Sequence, residues 1–135
     1  MIRYANTTDG IGAEQLDGFF VGWPSAPSPE THLAILQGSY AIVLAVDEST
    51  GRVVGFVNAA SDGILAAYIP LLEVLPEYRG QGIGRALMER ILKRLSRFYM
   101  VDLACDPEME SFYESFGMQP IRAMGVRNRD RQAGQ

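Results

Sequence analysis

The stretch Leu72-Glu73-Val74-Leu75-Pro76-Glu77-Tyr78-Arg79-Gly80-Gln81-Gly82-Ile83-Gly84 joins an apolar segment to an amphipathic one. The apolar segment covers residues 64–74 and overlaps the start of this stretch. Its nearly all-apolar composition is typical of a strand at the centre of a sheet. After it, apolar residues recur at every fourth position, which predicts a helix over 82–97. Residues 99–105 then have the composition of a buried strand. Strand, helix and strand in this order predict a right-handed parallel crossover.

Two further apolar runs precede this unit and flank the turn Asp47-Glu48-Ser49-Thr50-Gly51. The runs are Tyr40–Val46 and Arg52–Ala60, and together they predict a β-hairpin. With residues 64–74 they form a meander of three antiparallel strands. The sequence therefore predicts an α/β (α+β) fold, in which a central mixed sheet combines this meander with the parallel crossover.

The remaining elements complete a single domain over residues 1–135. Ile2–Tyr4 is predicted to be a short strand and Gln119–Val126 a final strand. The polar tail 127–135 is expected to fray. No repeat, linker or domain boundary interrupts the chain.

Three helices are predicted besides the one at 82–97. A first helix is expected from the helical spacing of Leu16, Phe19, Phe20 and Trp23. In a second, Ser28 caps the helix, Pro29 is its first residue and Gly38 ends it. The last begins at Asp106 and Pro107 and ends at Gly117.

Composition and charge exclude several classes of protein. The formal net charge of −4 argues against nucleic-acid binding, and no segment has the apolar length of a signal peptide or a membrane span. Cys105 is the only cysteine, so an internal disulfide and a cysteine-based zinc site are excluded. We expect a cytoplasmic protein without a metal, and no motif encodes its oligomeric state, so a homodimer is left open.

Charge is distributed unevenly along the chain. Up to Glu77, Arg3 and Arg52 are the only basic residues, against nine acidic ones, and from Arg79 onward the balance reverses. One interpretation is that the solvated faces of the two halves differ in charge by chance. The other is that the first half attracts cations and the second half attracts phosphate.

The glycines at positions 80, 82 and 84 let the chain bend tightly between a strand and a helix. Backbone amides and the positive end of the helix dipole then meet at one point, beside the charges of Arg79 and Arg85. This arrangement predicts a phosphate site, the alternative being a turn that only needs glycine. Two other phosphate-binding motifs fit less well. The lysine that a Walker loop requires is absent from this turn, and Arg85 stands where a dinucleotide fingerprint has its last glycine.

The turn and a second motif together resemble the GNAT superfamily of N-acetyltransferases. Arg79, Gly82 and Gly84 match the family signature of Arg or Gln, two free positions, Gly, one free position, then Gly or Ala. The lead-in 72–78 is similar to the family's splayed strand end, and Phe112-Tyr113-Glu114-Ser115-Phe116-Gly117-Met118 is similar to its late helix. The order of elements matches over almost the whole chain.

The resemblance implies a site for acetyl-CoA and a mechanism of direct transfer to an amine. The pyrophosphate would be held by the amides of Arg79, Gly80, Gln81, Gly82, Ile83, Gly84 and Arg85. Leu72 and Val74 would pair with the pantetheine arm, and the Val74 amide would stabilise the developing oxyanion. Tyr113 would contact the thioester and protonate the leaving thiolate, the alternative being that it only packs.

Glu73 is the only charged residue in the run 64–75. It is predicted either to be a base or counter-ion for the acceptor ammonium, with a pKa raised by burial, or to be a sheet acid satisfied by backbone amides. His32 is predicted to be a surface or core residue rather than a base. Cys105 is predicted to be a packing thiol, and Trp23 either selects substrate or packs.

The leading function is therefore an N-acetyltransferase acting on a primary amine of a small molecule, or on a peptide or protein amine. The acidic first half favours a cationic acceptor. The alternatives are a noncatalytic acyl-CoA-binding or sensor domain, which needs neither Tyr113 nor Glu73, and an interaction module in which the turn is only a turn.

Overall fold

A five-stranded sheet organises the chain, and the computed structural model describes all residues from 1 to 135. The strands are β1 (Ile2–Ala5), β2 (Ala41–Asp47), β3 (Arg52–Ser61), β4 (Ala66–Val74) and β5 (Met100–Asp102). The helices are α1 (Pro29–Gly38), α2 (Ile83–Arg94) and α3 (Glu110–Glu114). The strands lie in sequence order, the first four antiparallel and β5 parallel to β4. The predicted mixed sheet and crossover are confirmed.

Helix α2 packs on one face of the sheet, against β2, β3 and β4. Its apolar side is buried as its spacing predicts: Ile83, Leu87, Met88 and Ile91. A side chain at Gly55 on β3 would lie within 3.2 Å of Ile83 and Leu87, so glycine is required for the close approach of α2. The helix ends at Arg94, three residues before the predicted end.

The opposite face is covered by α1 and an aromatic cluster. Helix α1 has the predicted bounds, and Ser28 Oγ accepts a hydrogen bond from the Thr31 amide at 3.1 Å. The predicted first helix is wrong: a 3-10 helix over Ala13–Leu16 is followed by turns. Gly18, Phe20 and Gly22 have positive φ angles of 93°, 62° and 84°, which no α-helix accommodates.

The C-terminal part has less regular structure than the sequence predicts. β5 contains three residues, and a 3-10 helix over Pro107–Met109 leads into α3. The predicted strand 119–126 is wrong, because these residues have no regular structure and are exposed. The tail contains a 3-10 helix over Arg129–Arg131, and Gln132 Oε1 accepts a hydrogen bond from the Ser25 amide at 2.7 Å. None of the helices has the length and apolar character to cross a bilayer.

Candidate active site

An opening separates β4 from β5 at their carboxyl ends. The two strands pair only where residues 66–68 meet residues 100–102, so the last six residues of β4 have no partner on that side. The Leu75 amide donates to the Val54 carbonyl of β3 at 2.8 Å. Because main-chain groups alternate in direction along a strand, those of Val74 and Leu72 face the opening. The side chain of Arg79 confirms this direction, since its Nε reaches the Val74 carbonyl at 3.0 Å.

The glycine turn lies at the end of this free strand edge. Gly80 and Gly82 have φ angles of 78° and 81°, in the left-handed region that glycine enters without strain. The first hydrogen bond of α2 runs from the Ala86 amide to the Gly82 carbonyl at 3.1 Å. The amides before Ala86 at this helix start are left without acceptors inside the helix, which is the usual basis of anion binding there.

Arg79 departs from the role predicted for its backbone. Its amide already donates to the Pro76 carbonyl at 3.3 Å, so it is not free for a phosphate. The free amides therefore begin at Gly80. Tyr78, which precedes the turn, is fixed to the β2–β3 hairpin, because its hydroxyl donates to Asp47 Oδ2 at 2.6 Å. This bond, with those from Ser49, lowers the pKa of Asp47 to about 2.

Arg85 connects the glycine turn to α3 rather than extending freely to the opening. Its Nη2 donates to Ser115 Oγ at 2.8 Å, and its guanidinium lies 4.7 Å from the centre of the Phe116 ring. Phe112 also approaches α2 beside Gly84. The charge of Arg85 stays near the turn, while its contacts fix the helix that carries Tyr113. Sequence reasoning gave Ser115 no part in this arrangement.

Tyr113 is half-buried on α3, with its ring centre 5.0 Å from that of Phe112 in an edge-on arrangement. Burial raises the pKa of Tyr113, and the charge of the nearby Cys105 thiolate, which forms at high pH, raises it further. The phenol is therefore protonated at neutral pH and suited to donate a proton. Cys105 itself is exposed and free, so the prediction that it packs in the core is wrong.

The Glu73 carboxylate accepts hydrogen bonds from backbone amides, which is the second of the two arrangements predicted for it. Its Oε1 accepts from the Phe20 amide at 2.8 Å and its Oε2 from the Val21 amide at 3.2 Å. Glu73 lies opposite Phe56 in the sheet register and alternates in face with Val74. The carboxylate thus anchors the loop before α1, including Phe20, the only non-glycine residue with a positive φ. Gly18 and Gly22 were the sequence signal for this loop.

An aromatic cluster supports the same loop. His32 is buried among Phe19, Phe20 and Phe56, with ring centres 4.4 to 5.3 Å away. Neither nitrogen of His32 has a hydrogen-bond partner, and burial lowers its pKa to about 4. His32 is therefore a core residue, which is one of the two placements predicted for it. Trp23 is exposed at the rim of the cluster, 4.9 Å from the Phe20 ring.

The structure thus contains a splayed parallel strand pair with a helix N-terminus at its opening, as the resemblance of residues 72–84 to the acetyltransferase family implies. Residues 9–118 match the model of the acetyltransferase (GNAT) family. This chain belongs to the GNAT family.

Related sequences and structures agree with this assignment. The chain is 32% identical over 115 residues to GCN5-related N-acetyltransferase 1 of Arabidopsis thaliana and 30% identical over 131 residues to serotonin N-acetyltransferase 2 of rice, both named chloroplastic. These alignments cover 82% and 93% of this chain but only 58% and 65% of the plant proteins.

A crystal structure from Deinococcus radiodurans, assigned as an acetyltransferase, has a TM-score of 0.94 and 49% identity, with 98% of this chain and 92% of that one covered. AAC(6')-Iy in complex with a CoA bisubstrate analogue shares the fold at 17% identity, with a TM-score of 0.67 and with 95% and 98% of the two chains covered.

Proposed function

We propose that this chain transfers an acetyl group from acetyl-CoA to a primary amine of a small molecule, or of a peptide, in a direct ternary complex. The unpaired edge of β4, which ends at the free amides of the glycine turn, carries the proposal. That edge offers main-chain groups to the pantetheine amides, and the turn offers an anion site to the pyrophosphate. The family membership and the CoA-bound neighbour support the same donor.

The remaining residues have defined parts in the transfer. A neutral amine nitrogen forms the new C–N bond, the C–S bond breaks, and the thiolate takes a proton from Tyr113. The proton lost by the amine returns to Tyr113 through water. The Val74 amide, which faces the opening, stabilises negative charge on the thioester oxygen. The acidic first half of the chain favours a cationic acceptor, and a cytoplasmic location remains part of the proposal.

The decisive experiment combines calorimetry with an amine panel. We expect the purified protein to bind acetyl-CoA and to release free CoA thiol with at least one amine. Binding without thiol release from any amine would favour a noncatalytic acyl-CoA sensor. A failure to bind acetyl-CoA would contradict both functions.

Gly82→Ala is expected to raise the Kd for acetyl-CoA by about tenfold or more. The new Cβ meets no protein atom within 4 Å, so it enters space open to a ligand beside the free amides. Gly10→Ala is the matched control, because Gly10 has a similar φ of 76° and equally open surroundings in a loop before the first 3-10 helix. Both changes should destabilise the fold by about 1 kcal/mol. Equal calorimetric Kd values for the two variants would contradict the anion site.

Glu73→Gln is expected to raise the KM for the acceptor several-fold without changing the pH profile of kcat. An amide side chain has one acceptor oxygen in place of two, so one of the two loop amides loses its partner. The surrounding loop then loosens, whereas the chemistry is unaffected. Glu48→Gln, at an exposed position in the β2–β3 turn, is the control. A pH profile that loses its acidic limb would instead identify Glu73 as the general base.

A further inference from the structure

The outer side of β1 is an open edge of the sheet, because β1 pairs only with β2. The Glu48 amide donates to the Met1 carbonyl at 3.0 Å, in the register of the β1–β2 pair. Main-chain groups alternate in direction along an antiparallel strand, so those of Arg3 also point to β2. Those of Ile2 and Tyr4 point outward. Ile2 and Tyr4 therefore offer two amides and two carbonyls to another strand.

Helix α2 places three exposed cations beside this edge. The guanidinium of Arg90 lies over the Tyr4 ring, 4.3 Å from its centre. Arg94 is held in place because its Nη1 donates to the Ile42 carbonyl at 3.0 Å, and Lys93 precedes it on the helix. All three cations line a groove of about 380 Å³ between α2 and β1, and no acidic residue lines it. The groove therefore combines positive charge with free main-chain groups.

This groove is separate from the opening proposed for acetyl-CoA. β1 is the first strand in the sheet order, and the opening lies between β4 and β5 at the other end of that order. Neighbouring strands are about 4.8 Å apart, so β1 lies about 14 Å from β4. Arg85 lies on the flank of α2 that contacts α3, whereas Arg90 faces β1. A ligand in the groove can thus bind while the opening is occupied.

We propose that the groove binds an extended acidic segment of a partner protein, which adds to β1 as a sixth, antiparallel strand. Main-chain hydrogen bonds to Ile2 and Tyr4 supply affinity, and the cations of α2 select acidic side chains. Antiparallel pairing is the more stable kind. A phosphate group can accept from the two free amides but cannot donate to the two free carbonyls, so a peptide satisfies this edge and a phosphate does not.

The spacing of the cations matches a strand with an acidic residue at every second position. The residue opposite Tyr4 would direct its amide to β1 and its side chain to the face on which Arg90 lies. Through the antiparallel order of the first four strands, α2 runs in the same direction as β1. From Arg90 to Arg94 the helix rises about 6 Å, and alternate residues of a strand are about 7 Å apart. Successive acidic side chains therefore meet successive cations.

Fluorescence anisotropy with a defined peptide tests the proposal. The probe is a labelled, capped peptide, Thr-Glu-Val-Glu-Val-Glu-Thr, and its binding should weaken as the salt concentration rises. Replacing two of the cations together, Arg90→Gln and Lys93→Gln, should raise the Kd for this peptide about tenfold. Arg122→Gln is the matched control, because Arg122 is an exposed arginine outside the groove. It should leave the Kd unchanged, and a peptide with lysine in place of glutamate should not bind.

Methylation of the peptide's amides distinguishes strand addition from attraction between charges. Methylating the amide of the central glutamate removes a hydrogen bond to β1 and should abolish binding. Methylating the amide of a neighbouring valine, which points away from β1, should leave binding intact. Amide hydrogen exchange should show that the unmodified peptide protects Ile2 and Tyr4. Saturating acetyl-CoA should not change the Kd for the peptide, and none of these measurements requires acetyl transfer.

Several results would overturn the proposal. These are a wild type that does not bind the peptide, a double variant with an unchanged Kd, and equal effects of the two methylations. Displacement of the peptide by inorganic phosphate or a single-stranded oligonucleotide at equal or lower concentration would assign the groove to phosphate instead. Protection of Ile2 and Tyr4 that rises with protein concentration in the absence of peptide would assign the edge to a second copy of the chain.

Discussion

Tyr113→Phe is expected to lower kcat by about 10² to 10⁴-fold, the usual contribution of a positioned proton donor. The substitution keeps the ring that packs against Phe112 and removes only the hydroxyl. Because the glycine turn and the edge of β4 do not depend on that hydroxyl, the Kd for acetyl-CoA should stay the same. Turnover is measured by release of free CoA thiol and affinity by calorimetry.

The pH profile gives an independent check on this residue. The pKa of Tyr113 is raised, so the phenol should keep its proton up to pH values above its ordinary 10, and kcat should fall only beyond that point. The variant should lack this alkaline limb. Tyr99→Phe, which removes a hydroxyl from a largely exposed tyrosine, is the control. A Tyr113→Phe enzyme with wild-type turnover would exclude Tyr113 as the acid and leave it a packing role.

The parallel crossover and its glycine turn were predictable because their signals are local. A four-residue apolar spacing specifies α2, and glycines in succession specify the left-handed angles at positions 80 and 82. The bounds of α1 were equally predictable from the cap Ser28, the first residue Pro29 and the terminal Gly38. In each case the residues that determine the structure lie within one turn of it.

The features that sequence reasoning missed depend on residues far apart in the chain. Phe20 has a strained φ because Glu73, on β4, binds its amide and because its ring is buried on Phe56 and His32. Helical spacing of the aromatic residues could not reveal this. Residues 119–126 have strand-like composition, but a strand forms only when it pairs with a neighbour, and these residues pair with no strand of the sheet.

Stability is expected to fall as the pH drops from about 6.5 to about 4, and His32→Leu should remove part of this loss. Native His32 has a pKa of about 4, well below the 6.5 of the unfolded chain. Between these values the unfolded state binds a proton that the native state does not, so acid favours unfolding. A shift of this size corresponds to about 3 kcal/mol, which is a large part of the stability of a small domain.

Urea unfolding at pH 7 and at pH 4 measures the effect in both proteins. Carboxylates titrate in the wild type and the variant alike, and His32 is the only histidine, so the difference between the two pH dependences isolates its contribution. Leucine also removes two ring nitrogens that lack partners, so the variant should be no less stable at pH 7. Parallel pH dependences would contradict the buried, neutral state of His32.

Trp23, the only tryptophan, lies against Phe20, so its fluorescence shows whether the loop anchored by Glu73 opens before the sheet unfolds.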